Sequence, residues 1–401
     1  VRWTENRNFS EYLRMVDNGS INLDPIISSK YKIKDANEAF SSLKNTEKKP
    51  LMVLLHYGKP DSESIQGFKP DSKVEIANAG IKKDGVINYA IVGAGSFASN
   101  MHLPNLQKHP GKFRAYAIFD RKGSSATNLA KQFGAIIATT NFEEIINDTN
   151  VDLVIITTRH DSHASYVLKA LKAGKHVMVE KPLAVKQAEL DKIKDFYGED
   201  VSNKPILFVG FNRRFSKYAQ EIKKYTDNRI NPLFIRYRMN AGFIPLDAWV
   251  HEDGGRIVGE GCHLIDLMSF FTGSKLTSIY TESISPKNDK FSVSDNRTIT
   301  LKYEDGSICS IDYFAVGNKS FPKEYMEIHF DEKTIVMEDY KSIKGYGLKI
   351  KNFNEKHSQK GQYEEILALY KSLSGKSDEW PIDLQDMIQT TEAAFSVVNQ
   401  D

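Results

Sequence analysis

Cysteine is scarce in this chain: 401 residues contain two, Cys262 and Cys309. That count excludes a disulfide framework and any paired-cysteine zinc motif, and it suits a reducing compartment, so a cytoplasmic location is expected. Long apolar runs are missing as well. None approaches the roughly 20 residues that a bilayer-spanning helix needs, and the opening residues are not expected to be a secretory signal. An excess of charge of one sign is nearly absent. Lys and Arg number 54 against 52 Asp and Glu, a formal net charge of +2 spread along the chain, which gives no electrostatic case for nucleic acid or a membrane surface. A soluble globular composition remains, with 26% charged and 40% apolar residues in a chain long enough for two or three domains.

Within that composition, residues 87–92 form a short apolar run suited to a buried parallel strand. The run empties into Gly93-Ala94-Gly95-Ser96-Phe97-Ala98. Such a turn presents a helix N-terminus to a pyrophosphate in a doubly wound fold. Gly93 permits the tight bend, Gly95 lets the backbone approach phosphates, and Ala98 is small enough for the new helix to lie close on the strand. The next apolar run, 113–119, ends in Asp120, where an acidic residue meets the adenosine ribose hydroxyls. Asp120 favours NAD, whereas Arg121 and Lys122 offer a 2′-phosphate a place; NAD is the expected cofactor and NADP the alternative.

Strands and helices alternate from residue 87 onward, which predicts an α/β chain with a Rossmann-type doubly wound parallel sheet over 87–211. Beyond Asn212 the pattern changes to longer alternating runs, with Asp305-Gly306 as a hairpin signal. Residues 212–401 therefore read as an α+β domain with an open, mostly antiparallel sheet, the substrate and oligomerisation domain. The outer face of that sheet is expected to be covered in a homo-oligomer. Residues 58–86, rich in Lys, Asp, Ser, Gly and Pro, read as a linker.

The first segment, 1–57, shows two helical stretches (9–17 and 36–43) and a strand (51–55), with no glycine-rich turn and no ligand cluster. Through Asn6-Arg7-Asn8, residues 19–23 and Ala36-Asn37-Glu38-Ala39-Phe40 it resembles the C-terminal end of medium-chain, alcohol-dehydrogenase-like reductases. That resemblance implies the back part of a longer fused reductase, without the family's zinc ligands or cofactor loop. The other reading is a separate N-terminal cap.

Candidate chemistry gathers at the predicted carboxyl ends of the strands, where ligands sit in open parallel sheets. Glu180-Lys181-Pro182 closes the fifth strand of that sheet. The Lys181 ammonium suits a hydrogen bond to a substrate hydroxyl and stabilisation of a developing oxyanion; its other reading is a surface lysine paired with Glu180. His263 follows a loop rich in glycine (Gly254, Gly255, Gly259, Gly261) and opens a helix. Its imidazole suits proton exchange with a hydroxyl, with Asp266 one turn on as a possible orienting partner, or it simply caps the helix. Thr157, Thr158, Arg159 and His163 follow the fourth strand and fall beside the cofactor. Asn212, Arg213, Trp249 and Arg256 fall where a sugar pocket would form, although Trp249 also suits a core position.

Over residues 88–340 the order and spacing of several phrases resemble the Gfo/Idh/MocA group of sugar and polyol oxidoreductases. These are residues 90–97, Asp120-Arg121, residues 151–154 and 173–177, Glu180-Lys181-Pro182-Leu183-Ala184, Gly254-Gly255-Arg256 and Gly261-Cys262-His263-Leu264-Ile265-Asp266. The resemblance implies an active-site role for Lys181 and an acid/base role for His263. Two positions depart from the pattern. An aspartate common four residues before the histidine is Gly259 here, with Glu260 the nearest carboxylate. A common proline after the fourth strand is Arg159, which either clamps an anionic substrate group or pairs with Asp161.

The expected function is hydride transfer between NAD(P) and a carbinol carbon of a sugar, polyol or nucleotide sugar. A fused second reductase segment would suit two redox steps on one pathway, such as cell-surface polysaccharide synthesis. No metal is expected. The rival readings are a non-catalytic dinucleotide-binding sensor and a reductase of a non-sugar carbonyl or imine.

Overall fold

A computed structural model describes residues 4–44, 49–57, 71–78, 80, 83–198, 200–201, 204–252, 254–377 and 379–400. The chain divides into two compact units, before and after Ser72. In the first, Thr4 caps the helix Glu5–Asp17 by accepting from the Arg7 amide. Strands β1 (Ile27–Lys32) and β2 (Met52–His56) pair in parallel and are connected through the helix Ala36–Ser42. The predicted linker falls partly on 58–70, outside the described residues. Its later part is not a linker: β3 (Lys73–Glu75) pairs antiparallel with β6 (Ile137–Thr139) and forms a sheet edge.

The second unit contains two seven-stranded sheets. The first adds β4 (Ile87–Val92), β5 (Phe113–Phe119), β7 (Leu153–Ile156), β8 (His176–Val179) and β9 (Leu207–Val209), in the order β3-β6-β5-β4-β7-β8-β9. All its pairings except β3–β6 are parallel. Every residue of β4 and β7 is buried, which is why these strands read as unbroken apolar runs: helices cover both faces. The order turns at β4, whose neighbours are β5 on one side and β7 on the other. Ligand crevices open at such a switch point, and the glycine turn leaves β4 there.

The second sheet contains β10 (Phe234–Asn240), β11 (Leu276–Ser283), β12 (Asn296–Tyr303), β13 (Ile308–Phe314), β14 (Glu324–Phe330), β15 (Lys333–Glu338) and β16 (Ser342–Tyr346), in the order β11-β12-β13-β10-β14-β15-β16. Only β10 and β13 run parallel. Burial alternates along β13 and β14, so one face is covered and the other is open. The helix Cys262–Thr272 is buried along nearly its whole length; it packs on the last helix, Leu384–Val398, and its Ser269 hydroxyl lies 3.1 Å from that of Tyr303 on β12.

The two C-terminal helices do not stay with the second sheet. Tyr370, on the helix Gln362–Leu373, packs its ring 5.5 Å from that of Phe113 on β5 and donates to the Gly85 carbonyl. Lys194 of the first domain pairs with Glu392 at 2.7 Å. The chain's end therefore crosses back over the predicted boundary at 212. No helix among the described residues is long and apolar enough to cross a membrane.

One buried ion pair fixes the helix that carries His263. Arg214 meets both oxygens of Asp266 at 3.0 and 2.5 Å and reaches Asp386 at 3.2 Å, joining that helix to the last one. Asp266 is fully buried, so Asp266→Ala leaves the buried guanidinium with the partly exposed Asp386 alone and is expected to cost about 3 kcal/mol in urea unfolding. Asp386→Ala, at a partly exposed partner, is expected to cost about 1 kcal/mol or less in the same measurement.

Candidate active site

The glycine turn rests on the segment that follows β7. The Gly93 amide donates to the Phe119 carbonyl at 2.9 Å, and the Thr157 hydroxyl donates to the Gly93 carbonyl at 2.8 Å. At Gly93 φ is +102°, and a Cβ there would sit 3.0 Å from the Thr158 amide nitrogen and its methyl. Both the conformation and the close approach demand glycine. Gly95 is different: a Cβ there would meet nothing within 4 Å. The open cradle lies at Gly95, with Ser96 and Phe97 also exposed, and a wide π-type turn (Ala98–His102) follows. Asp120 is held beside it by the amides of Ala94 (2.9 Å) and Lys122 (2.8 Å), one on each carboxylate oxygen. Each oxygen keeps a lone pair for a ribose hydroxyl. A dinucleotide fits this arrangement: open space where pyrophosphate would lie and a fixed acceptor for its ribose. The Arg121 side chain is exposed.

Across the crevice, the Lys181-Pro182 peptide is cis. Lys181 Nζ donates to the Gly259 carbonyl at 2.6 Å. His163, read from the sequence as near the cofactor, is buried behind the loops. Its Nδ1 faces the Pro182 carbonyl at 2.7 Å and its Nε2 the Thr158 carbonyl at 3.1 Å, so it links the turns after β7 and β8. Glu180 is buried too, its Oε1 2.7 Å from His102 Nε2, and Glu365 stands close to both. Burial, and then the neighbouring Glu180 and Glu364, push the Glu365 carboxyl well above the usual range.

His263 is buried at the start of the helix Cys262–Thr272, with the Phe211 ring 6.2 Å away. Its Nδ1 has no hydrogen-bond partner among the described residues. Burial drives its pKa well below 6.5, and the charges of Arg213, Lys181, Lys360 and Lys323 drive it further. The imidazole is neutral and ready to accept a proton. Neighbouring Cys262 is also buried, its thiol pushed up to about 12 by burial, and it offers no thiolate.

Asp266 does not orient His263, because Arg214 takes both its oxygens. Glu260 does not stand in for a carboxylate at 259. It accepts from Tyr313 (2.7 Å), Lys323 (2.9 Å) and Arg256 (3.3 Å) beside the second sheet. Burial opposes its ionisation, yet Lys323, Tyr313 and Arg256 outweigh burial and hold it at about 2. The space a side chain at 259 would fill holds the His160 ring, whose Cε1 lies 2.8 Å from a Cβ built there. Burial, then Lys181 and His163, lower His160 to about 3, so it too is neutral. Its ring packs edge-on to Trp249 at 5.0 Å, and the Arg159 guanidinium lies 5.7 Å from the Trp249 ring centre.

The remaining pocket residues are occupied internally. Asn212 donates to the Lys360 carbonyl at 2.8 Å. Arg213 makes a buried fork on Glu324 (3.0 and 3.2 Å). Arg256 donates to the carbonyls of Gly242 (2.8 Å) and Ala241 (3.2 Å). These three shape the site from behind rather than present free donors to it. No local pattern in the sequence marks His160, Glu324 or Lys360; only the fold brings them to the neighbourhood of Lys181 and His263.

Residues 87–211 match the oxidoreductase family with an NAD-binding Rossmann fold, and residues 231–336 match the GFO/IDH/MocA C-terminal domain. Myo-inositol 2-dehydrogenase of Thermotoga maritima is 26% identical over 228 residues, 55% of this chain and 66% of its own length. The chain spans between half and about two thirds of the length of such curated relatives. Among solved structures, UDP-N-acetylglucosamine 3-dehydrogenase GnnA from Acidithiobacillus ferrooxidans has a TM-score of 0.65 at 18% identity, covering 78% of this chain and 97% of that one. Levoglucosan dehydrogenase in complex with NADH and levoglucosan has a TM-score of 0.65 at 18% identity, covering 78% and 96%. At those identities the likeness concerns the fold.

The two glycines of the turn respond differently to a methyl group. Gly95→Ala is expected to keep its unfolding free energy within about 0.5 kcal/mol and to weaken NADH binding about tenfold or more. Gly93→Ala is expected to lose about 1–3 kcal/mol of stability from its positive φ and the Thr158 contact. Chemical denaturation and NADH fluorescence titration read the two effects separately.

Proposed function

The chain belongs to the GFO/IDH/MocA oxidoreductase family, with an NAD-binding Rossmann domain, and on that premise we propose that it oxidises a carbinol carbon of a sugar, polyol or nucleotide sugar, or reduces the matching carbonyl. The observation that carries this reading is the buried imidazole of His263, its Nδ1 without a partner among the described residues, kept unprotonated by burial and then by the charges of Arg213, Lys181, Lys360 and Lys323. When bound, the dinucleotide supplies the acceptor for the carbinol hydrogen and its electron pair as the carbon becomes a carbonyl. His263 takes the hydroxyl proton. Lys181 keeps one N–H on the Gly259 carbonyl and has two more for the substrate oxygen, where negative charge develops. Asp120 accepts from ribose hydroxyls and favours NAD over NADP, because a 2′-phosphate would face its carboxylate.

Support for a polyhydroxylated ring comes from the relatives, which include proteins named for inositol, UDP-N-acetylglucosamine and levoglucosan. Trp249, 40% exposed, offers an aromatic face for such a ring. A cytoplasmic location accords with two free, buried cysteines. A homo-oligomer accords with exposed Phe234, Tyr280 and Tyr346 on the second sheet. The reductase-like reading of residues 1–57 accords with their β–α–β connection.

With a panel of neutral and charged sugars and NAD, Lys181→Met and His263→Asn are each expected to lower kcat by about 10²–10⁴-fold while NADH affinity changes little. NADH binding without turnover of any sugar would instead point to a sensor or a non-sugar substrate. Because the His263 pKa is lowered, protonation shuts the base off only at acid pH. The acid limb of kcat/KM is therefore expected below pH 6.5, the ordinary imidazole value, in a pH–rate profile.

A further inference from the structure

The proposed substrate site holds more positive charge than its own carboxylates balance. Glu324 serves Arg213, Lys360 and the Tyr237 hydroxyl together. Glu260 serves Lys323 and Arg256. Two cations remain. Lys181 meets a main-chain carbonyl, and among the described residues no carboxylate lies within ion-pair distance of it or of Arg159. Asp161, two residues beyond Arg159, does not pair with it. The exposed Arg159 guanidinium stands instead by the Trp249 ring, itself 40% exposed.

These groups form one continuous wall. Lys181 is held on Gly259, the His160 ring fills the space against Gly259, Trp249 packs on His160, and Arg159 lies by Trp249. An aromatic face orients a guanidinium while leaving its N–H edge free. That edge matches the paired oxygens of a carboxylate or phosphate, which a neutral sugar lacks. The imidazole in that wall, His160, is neutral, so the positive charge along it comes from Lys181 and Arg159.

We propose that the substrate is an anionic sugar derivative whose carboxylate or phosphate is bound by Arg159 against Trp249 while its carbinol lies at Lys181 and His263. This inference rests on the sugar oxidoreductase reading above and narrows it to a substrate class. Arg159 sets specificity and takes no part in moving the proton.

Matched probes test it: glucose against glucuronate and glucose 6-phosphate, and N-acetylglucosamine against its UDP derivative, on the parent protein, Arg159→Ala and Arg159→Lys. Turnover with NAD, calorimetric binding in the presence of NADH, and NADH affinity are measured in parallel. The anionic member of at least one pair is expected to bind and react about tenfold or more better than its neutral partner. Arg159→Ala is expected to raise KM for that anion about tenfold more than for the neutral sugar, with kcat changing less, and Arg159→Lys to restore part of the loss. High salt is expected to erode the preference. Reaction of the carboxylate probe alone, or of a phosphate probe alone, identifies which oxyanion is used. Equal losses for neutral and anionic sugars, or turnover of a neutral sugar with no preference for its anion, would overturn the inference and leave the sugar reading standing. A matching loss of NADH affinity in Arg159→Ala would also overturn it, by assigning the arginine to the cofactor's phosphates. If NADH binds and no probe binds or reacts, the sugar reading fails and this inference fails with it.

Discussion

The chemistry proposed for this protein depends on one main-chain acceptor, the carbonyl of Gly259. The Lys181 ammonium at the end of β8 is held on it, which ties the crevice of the parallel sheet to the turn that opens the His263 helix. Any side chain at 259 would displace the His160 ring, and with it the packing of Trp249. A glycine at this one position therefore serves three groups at once. The backbone there follows a wide π-type turn over Ile257–Gly261, a geometry that recurs where a helix is adapted to a site.

Around that contact the protein sets charge by burial. Glu324 is fully enclosed, yet Arg213 and Lys360 keep its carboxyl well below the usual range against the cost of desolvation. A buried fork of this kind adds little net stability, because removing two ions from water offsets their attraction. His263 feels burial first and then the nearby cations Arg213, Lys181, Lys360 and Lys323. Burial and these charges together keep the imidazole neutral, the state that the proposed role as a base requires.

Sequence made the first domain legible because its signals are local. β5 and β8 coincide with apolar runs visible in the chain, and the glycine turn, Asp120 and Lys181 each stand at the end of such a run. The second sheet was only partly legible. β11, an edge strand, contains no fully buried residue, and β15 and β16 are so short that only Ile335 and Met337 in the one and Ile343 in the other are buried, too few to stand out as an alternating run. Among site residues, Lys181 and His263 could be named because they stand inside compact phrases. The sequence sets Asp266 beside His263 and names no partner for Arg213 or Arg256, for a single reason. A buried charge and an exposed one look alike in sequence, and the partners arrive from afar, Glu324 lying 111 residues from Arg213 and Asp266 lying 52 from Arg214. His160 was invisible for a related reason: what marks it is the missing side chain of Gly259, about a hundred positions away.

The return of the last two helices to the first sheet has a mechanical consequence. Tyr370 against Phe113 and Lys194 against Glu392 give the two lobes a second tether besides the strand-to-helix passage near Phe211. A single passage would let the lobes swing apart like a book on its spine. Two attachments oppose such swinging, and the groups of the crevice that face water are Phe97, Arg159 and Trp249.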